Sequence, residues 1–167
     1  MSMKERIQAK VQSTLTYWPL FCLVAVAALA STALWENKTQ ATLPWMQTFM
    51  GILFILFAML KLFHLKGFAE GFAKYDLIGS KSKLYCFLYP FIELSLGLGY
   101  LAGFVLPIIC SATILISIIG SIGVIQALKK GLDVRCACLG TNLNVPLSTV
   151  TLTEDMGMGI MALLLLF

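Results

Sequence analysis

The chain has 167 residues, of which 59% are hydrophobic and 12% charged, with a mean hydropathy of +0.90. Soluble domains are about 45–50% apolar and about 25% charged, so this composition excludes an ordinary soluble surface and points to an all-α integral membrane protein in a lipid bilayer. The net charge of +4 lies in connecting segments rather than on one basic stripe, so no nucleic acid partner is expected.

Residues 1–16 carry Lys4, Arg6 and Lys10, with Ile7, Val11 and Leu15 at helical spacing. They read as a basic cytoplasmic N-terminal segment leading into the membrane. Residues 17–167 read as one transmembrane helix-bundle domain. Its first span covers about 17–34. No small-residue cleavage site precedes Trp35-Glu36-Asn37-Lys38, so this run is expected to remain as a span. Trp35 and Trp45 bracket a short polar loop and suit an interfacial aromatic belt. The second span covers about 46–65. Phe68, Phe72 and Tyr75 then recur at helical spacing among Glu70, Lys74 and Asp76, the pattern of a helix on the membrane surface.

The third span, about 84–103, contains Pro90 and Glu93 and ends in a Gly-x-x-x-Gly pair that allows close helix approach. The fourth, about 106–128, opens with Pro107 and has a small-residue face at Gly120, Ser121 and Gly123. The apolar run after Met156 is too short to cross alone. It spans as a fifth helix, about 148–167, if Glu154 and Asp155 fall in its first turns, where carboxylates suit a helix N-terminus. A short re-entrant helix is the alternative. The expected architecture is thus four core transmembrane helices plus a short C-terminal helix.

Alternate segments differ sharply in basic residues. Lys4, Arg6 and Lys10, then Lys66, Lys74, Lys81 and Lys83, then Lys129, Lys130 and Arg135 fall on one side, and Lys38 on the other. The positive-inside rule puts the first set in the cytoplasm of a multi-pass bacterial inner (cytoplasmic) membrane protein. The segment holding Cys136 and Cys138 belongs to that set. Cytoplasmic thiols are kept reduced, which disfavours a resting disulfide between them.

Five cysteines cannot all pair within one chain. Cys136 and Cys138 face one side if the segment is extended, and the basic residues nearby favour the thiolate form. Two such thiolates can bind a soft ion such as Cu(I), cycle through a disulfide, or do no chemistry. Cys22, Cys86 and His64 fall at a similar depth and are candidates for a third donor, with a buried small hydrophobe as the plain reading of each cysteine. Met46, Met50, Cys110, Met156, Met158 and Met161 could continue a path of sulfur donors, although methionine is also a flexible core filler. No organic cofactor is expected.

Lys61 and Glu93 lie inside spans, where ionisable residues are expensive and face the bundle interior. Their depths differ by about 6 Å at 1.5 Å per residue, so their side chains can meet. They form either a structural ion pair or part of a path for a cation or proton.

The ordered set Lys61-Leu62-Phe63, Phe68, Tyr75-Asp76, Tyr89-Pro90-Phe91-Ile92-Glu93-Leu94, Gly97, Lys129-Lys130, Cys136-Ala137-Cys138-Leu139-Gly140-Thr141, Pro146 and Glu154-Asp155 resembles the MauE/DoxX family of small bacterial membrane proteins, which takes its name from a methylamine-utilisation protein. The branch often fused to a heavy-metal-associated domain is the most similar. The resemblance covers about Trp45 to the end, and the first span also fits. It implies a four-span bundle linked to metal handling or thiol redox chemistry. Residues 1–16 contain no cysteine, so a heavy-metal-associated domain, or another metal-handling membrane protein, would be a separate partner.

Three functional expectations follow. The first is a membrane protein that binds or moves a soft metal ion through Cys136 and Cys138. The second is a thiol-redox accessory supporting disulfide formation or maturation of a partner. The third is a non-catalytic assembly subunit of a membrane complex.

Overall fold

The computed structural model describes residues 18, 20–34, 45–74, 76–130 and 147–167, with side chains in the last helix from Leu152 onward. The described residues form six helices and no strand: α1 (Leu20–Leu34), α2 (Trp45–Phe63), α3 (Leu65–Phe72), α4 (Lys83–Ala102), α5 (Leu106–Lys129) and α6 (Leu147–Leu166). Helices α2, α4 and α5 are each long and apolar enough to cross a membrane. Helix α6 has 20 residues, or about 30 Å of rise, which matches a hydrocarbon core.

The bundle rests on two antiparallel pairs, α2 with α4 and α5 with α6. In the first, Gly51 meets Gly97 and Leu101 near one end, while Lys61 meets Glu93 further along. A Cβ at Gly97 would lie 2.9 Å from Ile55 Cγ1 and 3.0 Å from the Gly51 carbonyl, so the backbones touch there. Of the expected Gly99/Gly103 pair, Gly99 packs closely, since a Cβ there would lie 2.6 Å from Ile109 Cδ1 of α5. Gly103 instead ends α4 as a left-handed cap (φ 65°), and its N–H donates to the Tyr100 carbonyl. In the second pair Ser117 lies against Gly159 and Gly120 against Asp155, so the small residues of α5 admit α6. The end of α5 and the start of α6 therefore sit at the end of the bundle where α2 finishes and α4 begins.

Two buried clusters fill the interior. One gathers Phe49, Met50, Leu53, Phe54, Phe57, Leu96, Tyr100, Cys110, Met158 and Ala162 from α2, α4, α5 and α6, with Ala27 of α1. Its polar atoms are paired: Tyr100 Oη donates to Thr113 Oγ1 at 3.0 Å, and Gln47 Nε2 donates to the Tyr100 carbonyl at 2.7 Å. Met50, Cys110 and Met158 thus serve in one apolar core. The other cluster joins α3 to α4 and α5 through Phe68, Phe72, Cys86, Tyr89, Val124 and Ala127.

Helix α3 departs from the expected surface helix. It ends at Phe72, and Phe68 and Phe72 are buried rather than turned to lipid. Their i, i+4 spacing puts both rings on one face, which stacks on Tyr85 and Tyr89 at the same spacing on α4. The chain then turns at Asp76, whose Oδ1 accepts from the N–H groups of Ile78 (2.9 Å) and Gly79 (2.6 Å). Ser82 caps α4, its Oγ accepting from the Tyr85 N–H at 3.4 Å.

Candidate functional site

The chemistry-bearing residues that converge among the described residues are Lys61 of α2, Glu93 of α4 and Glu154 of α6. Lys61 and Glu93 are each 3% exposed. Lys61 Nζ donates to Glu93 Oε1, and Glu154 Oε1 lies 3.9 Å from the same ammonium. Three helices are thus tied at one point by groups that lipid cannot solvate. The ammonium also sits 5.2 Å from the Tyr89 ring centroid and 5.6 Å from that of Phe68, within cation–π range.

The local sequence explains each placement. Lys61 shares a face of α2 with Phe54, Phe57 and Ala58, all buried, so its stem packs in the core while its head meets α4. Glu93 follows Tyr89 by one turn on the buried face of α4, which continues through Leu96, Gly97 and Tyr100. Pro90, fully buried beside Tyr89, offers no N–H to the carbonyl one turn back.

Helix α6 begins at Leu147, within a residue of the start expected near Ser148, and its first turn holds no acidic residue; Glu154 and Asp155 lie about two turns in. Glu154 answers the Lys61 ammonium instead of the helix dipole. Asp155 leans on Gly120 of α5, where a Cβ would come within 2.5 Å of Oδ2. The two glutamates and the lysine together fasten α2, α4 and α6 inside the bundle.

The thiols are distributed differently. Cys136 and Cys138 lie outside the described residues. Cys22 is exposed on α1, and His64 is exposed between α2 and α3. Cys86 is buried at the start of α4, its Sγ donating to the carbonyls of Gly79 (3.4 Å) and Ser82 (3.5 Å). The structure does not bring these three together, and among the described residues no group of three or more His, Cys, Asp or Glu is arranged to hold a metal. Asp76 is 2% exposed beside Cys86. Burial pushes its carboxyl above the usual range, against the two backbone N–H groups that favour the ionised form.

Sequence reading missed two of these partners. The Lys61–Glu154 approach needs the path of α6, which spacing alone does not give. Of the aromatic flank of Lys61, only the helical spacing of Phe68 with Phe72 was visible, and the part of Tyr89 was not.

The sequence profile of the family described as methylamine utilisation protein MauE matches residues 20–167, which takes in all six helices and the Cys136-Ala137-Cys138 segment. The chain belongs to the MauE family. No curated protein and no solved structure matches the chain. Family membership and the apolar helices together make this MauE-family chain a membrane protein.

Proposed function

We propose that this MauE-family protein is a thiol-redox accessory of a bacterial inner membrane, supporting the maturation of a partner protein in a methylamine-utilisation-type system. The observation that carries the reading is the family match across residues 20–167, which includes the Cys136-Ala137-Cys138 pair. The basic residues on alternate segments support a cytoplasmic position for that pair. A thiolate of the reduced pair attacks a disulfide of the partner and forms a mixed disulfide. The second cysteine then displaces the partner's sulfur. Two electrons and two protons pass from the pair to the partner, leaving a Cys136–Cys138 disulfide that the cytoplasmic thiol pool reduces again. The i, i+2 spacing allows this bond: two extended residues span about 6.6 Å, close to the upper limit for bridged Cα atoms, and a turn brings them nearer. The Lys61–Glu93–Glu154 site holds α2, α4 and α6 together at the end of the bundle from which this segment runs.

Alkylation trapping in cells tests the exchange. The expected result is a fraction of Cys136–Cys138 in the oxidised form, and a mixed disulfide that accumulates in a Cys138→Ser or Cys136→Ser variant. Permanently reduced thiols in every background, with no adduct, would refute it.

The spacing favours one second reading: the two thiolates bind Cu(I) or another soft ion, which the protein stores or moves with a separate metal-handling partner. Soft ions accept two-coordinate thiolate sites, so this reading does not need Cys22, Cys86 or His64. Metal per protein, measured for the wild type and for Cys136→Ser/Cys138→Ser in detergent, decides it; equal occupancy removes the ligand assignment.

A further inference from the structure

A cleft of about 260 Å³ opens between α3 and the start of α4, away from the Lys61 site. Lys66 and Glu70 stand on its α3 side and Lys83 on its α4 side, all three exposed. Ala69, Ala73, Cys86 and Phe87 make up the remaining, largely apolar surface. Among the described residues none of the three charged groups forms an ion pair, so the rim keeps a net charge of one positive unit, from two lysines and one glutamate. The cleft lies beside the first turns of α4, at one end of a helix long and apolar enough to cross a membrane, where a span of this kind meets the headgroup region. Below it, the exposed apolar side chains Phe87, Leu88, Phe91 and Ile92 continue down α4 into the hydrocarbon.

We propose that this cleft is a binding site for a singly charged anionic phospholipid, its phosphate held between Lys66 and Lys83 and its acyl chain lying along Phe87 and Phe91. Charge and shape both select that ligand. One net positive charge complements one phosphodiester. The volume falls below the roughly 300–1,000 Å³ of pockets that enclose drug-sized ligands, so it accepts a headgroup and leaves the chains outside. The apolar floor meets the glycerol backbone, and the open side faces the bilayer. Glu70 sets selectivity by opposing a second negative charge on the lipid. This site is independent of the thiol chemistry proposed above.

Native mass spectrometry of the full chain in a non-ionic detergent tests the site, by titration with phosphatidylglycerol or phosphatidylcholine of identical acyl chains. Each lysine at a membrane surface contributes an attraction worth several-fold in affinity. The wild type is therefore expected to hold phosphatidylglycerol at roughly tenfold lower lipid concentration than phosphatidylcholine. Lys66→Gln/Lys83→Gln removes that preference. Lys74→Gln/Lys81→Gln, on the same segment but outside the cleft, keeps it. Glu70→Gln strengthens phosphatidylglycerol binding several-fold, a gain that misfolding cannot imitate. Equal binding of the two lipids by the wild type overturns the proposal. So does an equal loss in both lysine pairs, which would reveal general surface attraction, or no gain in Glu70→Gln. Displacement of the lipid by equimolar glycerol phosphate overturns the lipid assignment in favour of a free-anion site.

Discussion

Removing the Lys61 ammonium is expected to destabilise the bundle more than removing the Glu93 carboxylate. Breaking a buried ion pair by deleting one partner costs about 3–5 kcal/mol, because the survivor is left buried and uncompensated. In Glu93→Gln the ammonium keeps Glu154 Oε1 at 3.9 Å and the rings of Tyr89 and Phe68. The amide oxygen can still accept its hydrogen bond, so the loss falls to about 2 kcal/mol. In Lys61→Met, Glu93 and Glu154 lose their shared counter-charge, and the full 3–5 kcal/mol applies. At about 2–4 °C per kcal/mol for a chain of this size, Lys61→Met lowers Tm by roughly 6–20 °C. Thermal unfolding in detergent, followed by tryptophan fluorescence, reads both variants and their double, and the cycle should give a coupling energy of at least about 1 kcal/mol. Replacing all three charges, as Lys61→Met/Glu93→Leu/Glu154→Leu, should recover most of the stability, since apolar groups often replace buried ion pairs without loss. A Lys61→Met variant melting with the wild type, or additive single effects, would refute the coupled site. A stable triple variant that fails in cells would show that the charges serve function beyond holding helices.

Three other outcomes are expected. Gly97→Ala should destabilise by about 1–3 kcal/mol despite the better helix propensity of alanine, because the new methyl meets Ile55, the Gly51 carbonyl and Phe54 within 3.0 Å; the same unfolding assay checks it. Burial raises the folded-state pKa of Asp76 above that of an exposed aspartate, so its contribution to stability is fully present below the unfolded-state pKa and is lost as pH rises through the folded pKa. Asp76→Asn keeps an oxygen for the Ile78 and Gly79 amides and cannot ionise, so its stability should fall less with rising pH than the wild type's; parallel pH profiles would contradict this. A membrane-impermeant maleimide should label Cys136 and Cys138 in inside-out vesicles and leave them unlabelled in intact spheroplasts, the reverse pattern placing the segment outside.

The residues differ in how openly they announce their roles. A charge inside an apolar run announces itself, because lipid makes it expensive, so Lys61 and Glu93 stood out before any coordinates. Their depths follow from a fixed rise per residue, which is why their meeting could be anticipated. Glu154 could not be placed in the same way. Its meaning depends on which helix α6 packs beside, and a helix start near Ser148 is equally consistent with a carboxylate serving the helix N-terminus. Only the passage of α6 beside Lys61 makes that carboxylate a second counter-charge. The aromatic residues of α3 misled for a related reason. Period alone gives a face, and the identity of the surface it meets is a property of the fold. Lipid and the rings of Tyr85 and Tyr89 are both apolar, so Phe68 and Phe72 suited either, and the turn at Asp76 folds α3 back onto α4. Exposed lysines carry even less positional information, since one beside a cleft and one facing water have the same sequence pattern. Lys66 and Lys83 are 17 positions apart in the chain, yet that same turn sets them on opposite rims of one cleft. A reversal pinned by a buried carboxylate thus brings to one cleft two lysines whose spacing alone predicts only membrane sidedness.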